Sequence, residues 1–177
     1  DGCMSTNDTV LLLASGASGA APSTREFTDV LRRACAELSR ALVADAEGAS
    51  HDVAITVRGA RSEEQALPVA RAVARSNLFK AAVFGNDPNW GRILSAVGTV
   101  PEHVAAFDAD RIDVSVNGVT VCRGGGVGDD RALVDMASRE VHVLIDLNAA
   151  DGAGAEVTVW TNDLTHAYVH ENSAYST

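Results

Sequence analysis

Three features of these 177 residues predict a mixed α/β fold that is α+β in its local pattern. Apolar residues alternate at Val53, Ile55 and Val57, and again at Val141, Val143, Ile145 and Leu147, which is the period of a half-buried strand. After Ser23 the apolar residues recur every three or four positions, which is the period of a helix with one buried stripe. Asn117-Gly118 separates two short alternating runs, as a type I′ hairpin requires.

Taken in order, residues 1–9 read as a polar turn, Val10 to Ala14 as a short buried strand and residues 15–22 as a loop. Ser23-x-x-Glu26 is a capping box, and Phe27, Val30, Leu31, Ala34, Leu38 and Leu42 supply the stripe of the helix behind it. Gly48 is a fitting stop. The Val53–Val57 strand closes at Gly59, and a helical stretch runs from Ser62 to about Ser76, with Pro68 either near its start or kinking it. Leu78 to Phe84 is an apolar run around Lys80 that fits helix or strand. Residues 85–89 form a turn, and Trp90 to Val97 a short helix. The hairpin joins strands at Ile112–Val116 and Val119–Val121. Gly124 to Gly128 then reads as a flexible crossover, followed by a short helix near 131–137. The Val141–Leu147 strand is expected to neighbour Val157 and Val159 across Asp151-Gly152, and residues 162–170 to form a helix or extended chain.

Composition removes several classes of function. With 46% hydrophobic residues the chain can bury one sizeable core, so one domain over 1–177 is expected. The formal charge is −10 and no basic block exceeds Arg32-Arg33, which argues against nucleic acid as a partner. No run approaches 18 apolar residues, so no membrane span is expected. Cys3, Cys35 and Cys122 are odd in number and widely spaced, which suits neither a disulfide framework nor a zinc site and favours a reducing cytoplasm. Asp1 is not a methionine, so a processed product or a fragment is expected.

Familiar catalytic patterns are absent. Gly124-Gly125-Gly126 with Gly128 has neither the GK[ST] ending nor the GxGxxG spacing of a phosphate loop. His166 and His170 share a helix face but lack further ligands in sequence, and no GxSxG elbow occurs. Glu47 is more informative. A carboxylate at the C-terminal end of a helix meets unpaired carbonyls, so it gains nothing from the helix dipole and is free for another task such as gripping an ammonium group. Lys80, the Asp87–Arg92 turn, and the polar ending His170 to Thr177 also draw attention.

Five stretches carry a resemblance. Asp1-Gly2 with Ser5 to Thr9, Asp45 to Ala49, Ala74 to Lys80, Asp87 to Arg92, and Asn172 to Thr177 closely resemble the ArgJ family of ornithine acetyltransferases, in order along the whole chain. The resemblance implies a layered αββα sandwich of the DmpA/ArgJ-like type, with two sheets between helices. It implies a precursor that cleaves itself before a threonine into α and β chains, and an N-terminal threonine nucleophile. That threonine would take acetyl from N-acetylornithine and pass it to glutamate; some members also use acetyl-CoA as donor.

The Gly-Met to Ala-Thr cleavage segment does not occur in these residues, and Thr6 and Thr9 fall in the family's later STNDT segment. The chain therefore resembles the C-terminal part of the β chain without its nucleophile, so no catalytic residue, cofactor or metal ligand is assigned within it. Expected partners are the α chain and the threonine-bearing segment, in an α2β2 assembly. By resemblance, Glu47, Asn172 and Thr177 line the substrate site. Met4 stands where a small polar residue is usual. The alternatives are an aminopeptidase-like amidase and a non-catalytic structural fragment.

Overall fold

The computed structural model describes residues 7–151 and 154–174. Its centre is a six-stranded mixed sheet in the order β4-β3-β2-β5-β1-β6. The strands are β1 (Asp52–Ala60), β2 (Asp113–Val116), β3 (Val119–Arg123), β4 (Gly126–Val127), β5 (Glu140–Asp146) and β6 (Ala155–Asn162). The helices are α1 (Thr24–Ala44), α2 (Glu63–Ala74), α3 (Asn77–Phe84), α4 (Trp90–Val97) and α5 (His166–Ser173). The mixed α/β class is as expected, and one sheet of the layered arrangement lies within the described residues.

The alternating residues all point to one face. Val53, Ile55 and Val57 of β1, Val141, Val143 and Ile145 of β5, and Val114 and Val116 of β2 are buried there. Ala66, Val69, Ala70 and Val73 of α2, with Ile93 and Val97 of α4, belong to the same core. Period two on the strands and period 3.6 on the helices thus meet in one apolar layer. Pro68 sits inside α2, where it removes one backbone donor without ending the helix. The ambiguous run at Leu78 is helix α3, started by Ser76, whose hydroxyl accepts from the Phe79 N–H. The hairpin forms as expected: Asn117 and Gly118 have φ of 46° and 85°, the left-handed pair of a type I′ turn.

The structure corrects several expectations. The β5 and β6 strands are not neighbours: β1 lies between them, parallel to β5 and antiparallel to β6. A parallel pair joined through a long crossover leaves no local turn signal, so adjacency in sequence misled. The glycine stretch is no crossover, because Gly126–Val127 folds back as a two-residue edge strand on β3. The helix near 131–137 is a single 3-10 turn, Arg131–Leu133. The last helix starts at His166, because β6 runs on to Asn162.

Val10 to Ala14 is not a buried strand. Val10, Leu11, Leu12 and Leu13 are exposed, because they pair with no strand of the sheet and belong to no buried core. The α1 helix does have its capping box, with Ser23 and Glu26 satisfying each other. Its stripe is nonetheless unpacked: no residue of α1 is buried. The helix lies beside β6 on the other side of the sheet, where Arg40 stands 5.9 Å over the Trp160 ring.

Candidate functional site

At one end of the sheet, the link between α1 and β1 meets the link between β6 and α5. Three closely spaced residues, the last of β6 and two on the second link, reach across to the end of α1 and the first link. The Asn162 amide donates to the Val43 carbonyl (2.8 Å) and the His51 carbonyl (3.2 Å). Asp163 Oδ1 accepts from the backbone N–H groups of Ser50 (2.9 Å) and His51 (3.1 Å). Thr165 caps α5 by accepting from the Tyr168 N–H (3.0 Å), and its hydroxyl donates to the Gly48 carbonyl (2.7 Å).

Gly48 makes the close approach possible. Its φ is +62°, and a Cβ there would lie 2.7 Å from Ala167 Cβ and 2.7 Å from the Tyr168 nitrogen. A glycine alone lets the loop rest on the first turn of α5 without a clash or a strained backbone.

This docking brings together two of the three expected substrate residues. Asn172 Nδ2 donates to Glu47 Oε2 at 3.0 Å and to the Tyr168 carbonyl at 2.9 Å, although Glu47 and Asn172 are 125 positions apart. With both amide hydrogens given to acceptors, the Asn172 oxygen remains the atom available to a donor. Thr177, the third expected residue, lies outside the described residues. Glu47 borders a cleft of about 240 Å³ that Lys80, Asn162, Asp163 and Tyr168 also line. Lys80 is only 4% exposed, and its carbonyl accepts from the Leu164 N–H at 3.2 Å, which ties α3 to the same junction.

Asp163 is the polar residue that the sequence did not reveal. Its side chain has no solvent exposure. Oδ2 accepts from the Ser50 hydroxyl and faces His51 Nδ1 at 2.9 Å. Burial pushes its pKa up, but the hydrogen bonds from the side chains and backbone of Ser50 and His51 outweigh it and hold the carboxyl below its ordinary range. The one available sign was a polar Asn162-Asp163 pair ending an otherwise alternating strand.

Other residues singled out by sequence have structural roles. Asn89 caps α4 by accepting from the Arg92 N–H (3.1 Å) and donates to Asp87 (2.9 Å), while Arg92 reaches the Leu78 carbonyl (2.7 Å). The Asp87–Arg92 turn is thereby a rigid clip between α3 and α4. His166 meets Phe84 edge-on, ring centroids 5.4 Å apart. At Gly128 a Cβ would run into the Thr120 carbonyl, so this glycine serves the tight return of β4 on β3. No helix among the described residues is long and apolar enough to cross a membrane.

Comparison with known proteins bears on the family and the fold. The chain is 62% identical over 175 residues to the arginine biosynthesis bifunctional protein ArgJ of Bifidobacterium longum, covering 99% of this chain and 44% of that protein. It is 57% identical over 176 residues to the protein of the same name from Streptomyces coelicolor, again covering 99% and 44%. The chain thus spans less than half the length of these relatives. The crystal structure of arginine biosynthesis bifunctional protein ArgJ from Bacillus halodurans superimposes with a TM-score of 0.84 at 29% identity, covering 99% of this chain and 84% of that one. The ArgJ family description matches residues 1–177 throughout, and the chain belongs to the ArgJ family.

Proposed function

We propose that this chain forms the amino-acid-gripping part of an acetyltransferase that moves acetyl from N2-acetyl-L-ornithine to L-glutamate, releasing L-ornithine and forming N-acetyl-L-glutamate. The observation that carries this reading is the Glu47–Asn172 pair beside the cleft. A carboxylate and an amide oxygen side by side suit an ammonium group, which both substrate amino acids can present. The attacking group in this reading is a threonine outside the chain, freed at a new N-terminus when the precursor cleaves itself. It would carry the acetyl group covalently between two half-reactions, with an amine as base and an oxyanion hole supplied by the same outside segment. Thr177 would complete the grip on the amino-acid end.

The partners in this reading are the α chain and the threonine segment, assembled as α2β2 in the cytoplasm. The exposed apolar residues of α1 and Val10–Leu13 support a covering partner, because a stripe this apolar is costly to leave in water. The unpaired thiols of Cys35 and Cys122 suit a reducing compartment.

The test is Glu47→Ala in the complete assembled enzyme. The apparent KM for N-acetylornithine should rise about tenfold or more, as expected for loss of a charge-assisted contact to substrate, while precursor cleavage proceeds normally. Unchanged acetyl-transfer kinetics would reject the assignment. Faster cleavage of peptide amides than acetyl transfer would favour an aminopeptidase-like amidase instead.

A further inference from the structure

We infer that Asp163 is a positioning residue for substrate binding: its buried carboxylate gathers Ser50 and His51, and through them holds the Glu47–Gly48 turn against α5 so that Glu47 faces the cleft. The inference rests on the reading of Glu47 as a substrate contact and adds a residue that does not itself touch the reacting atoms.

The geometry has three parts. First, Asp163 receives donors from two consecutive residues, two backbone N–H groups on Oδ1 and two side chains on Oδ2, so both of its oxygens are committed. Ser50 and His51 are the residues by which the loop re-enters β1, three and four positions after Glu47. Second, this is a holding arrangement and not a nucleophilic relay. In a relay the histidine would place one ring nitrogen on the serine and the other on the carboxylate. Here His51 Nδ1 meets both Ser50 Oγ (3.1 Å) and Asp163 Oδ2 (2.9 Å). Third, Glu47 has no comparable anchor of its own among the described residues. Its hydrogen-bond partner there is the Asn172 amide, and Asn172 reaches it only while α5 and the loop stay docked.

The two other polar ties, Asn162 and Thr165, are neutral and each donates to backbone carbonyls. Asp163 instead brings a buried carboxylate to the junction, and charge-assisted hydrogen bonds are about twice as strong as neutral ones. Removing that charge while keeping the shape should loosen the loop without emptying the core. Asp163→Asn retains an oxygen for the two backbone donors but turns an amide hydrogen toward the Ser50 hydroxyl and His51.

The experiment is a kinetic double-mutant cycle in the complete assembled enzyme, using Asp163→Asn, Glu47→Ala and the pair. Asp163→Asn should raise the KM for N-acetylornithine about five- to tenfold with kcat within about twofold, because it weakens substrate and transition-state binding alike. The double variant should bind no worse than Glu47→Ala alone, since Asp163 acts through Glu47. Multiplying effects would overturn the inference, as would an unchanged KM in folded Asp163→Asn. If Asp163→Asn does not fold, Ser50→Ala carries the test: a raised KM that vanishes in the Glu47→Ala background supports the inference, and an unchanged KM overturns it. A Glu47→Ala variant with normal KM would instead defeat the reading of the site itself, so the two failures are distinguishable.

Discussion

On the α2 side of the sheet, Val53, Ile55, Val57 and Ile145 are wholly removed from solvent. On the α1 side, Phe27, Val30, Leu38 and Leu42 keep 44%, 56%, 67% and 75% of their exposure. Both sets are regular and apolar, one at strand period and one at helix period, and neither spacing tells whether its face will be covered within this chain. The difference is what lies opposite. The β1 strand meets α2, and β1 and β5 share one buried core with α2 and α4 within the same chain, whereas α1 meets little beyond β6. The far face of the sheet is polar as well, with Thr56 bonded to Thr158 and Ser115 to Thr120. Hydrophobic periodicity therefore reports that a face is meant to be covered and leaves open which chain covers it. The α1 helix is well started by its capping box yet has no buried residue of its own.

The sharpest way to break this comparison is a large-to-small change on the sealed side. Ile145→Ala removes a fully buried side chain from a central strand that is flanked on both sides. It should cost about 2–5 kcal/mol, from lost transfer energy and the cavity left behind. Urea denaturation of this chain measures it as a lower midpoint with little change in slope. A cost below about 1 kcal/mol would mean that the core relaxes far more than its packing implies.

Gly48 comes next, because it sits where the two regions join. Gly48→Ala must hold a left-handed φ and place a methyl within 2.7 Å of α5. A loss of roughly 1–3 kcal/mol is expected, part strain and part undocking of α5. The loss should appear in two ways: as a lower midpoint, and as faster amide exchange confined to α5 and residues 45–51. Uniform exchange across the sheet would show that the contact is not local.

What could be read in advance follows the range of each signal. The Asn117-Gly118 hairpin and the Ser23–Glu26 cap were legible because the residues that decide them are neighbours. The order β5-β1-β6 was not, because β1 pairs with strands roughly 90 to 110 residues further along and no turn announces the pairing. Val10–Leu13 was misread because apolarity was taken for burial. Glu47 stood out because a carboxylate at that helix end gains nothing there, and family likeness supplied Asn172. Asp163 escaped because an aspartate at a strand end is ordinary until Ser50 and His51, over 110 positions earlier, are seen against it.

The smallest expected effect sharpens the comparison most. Leu38 lies on the exposed stripe of α1, so Leu38→Ala should change the stability of this chain by no more than about 0.5 kcal/mol, as for other surface positions. Alanine is also the better helix former, which offsets part of any lost contact. The same change in the complete assembly should cost about 2–3 kcal/mol, because burying a leucine there would make its methyl groups part of a core. The paired denaturation midpoints give a difference that no property of the isolated chain can produce. If Leu38→Ala is equally mild in both, the stripe faces water in the assembly too, and the partner must cover another surface. If it is equally severe in both, α1 already has a packed face in the lone chain, and the contrast between the two sides of the sheet does not hold in solution.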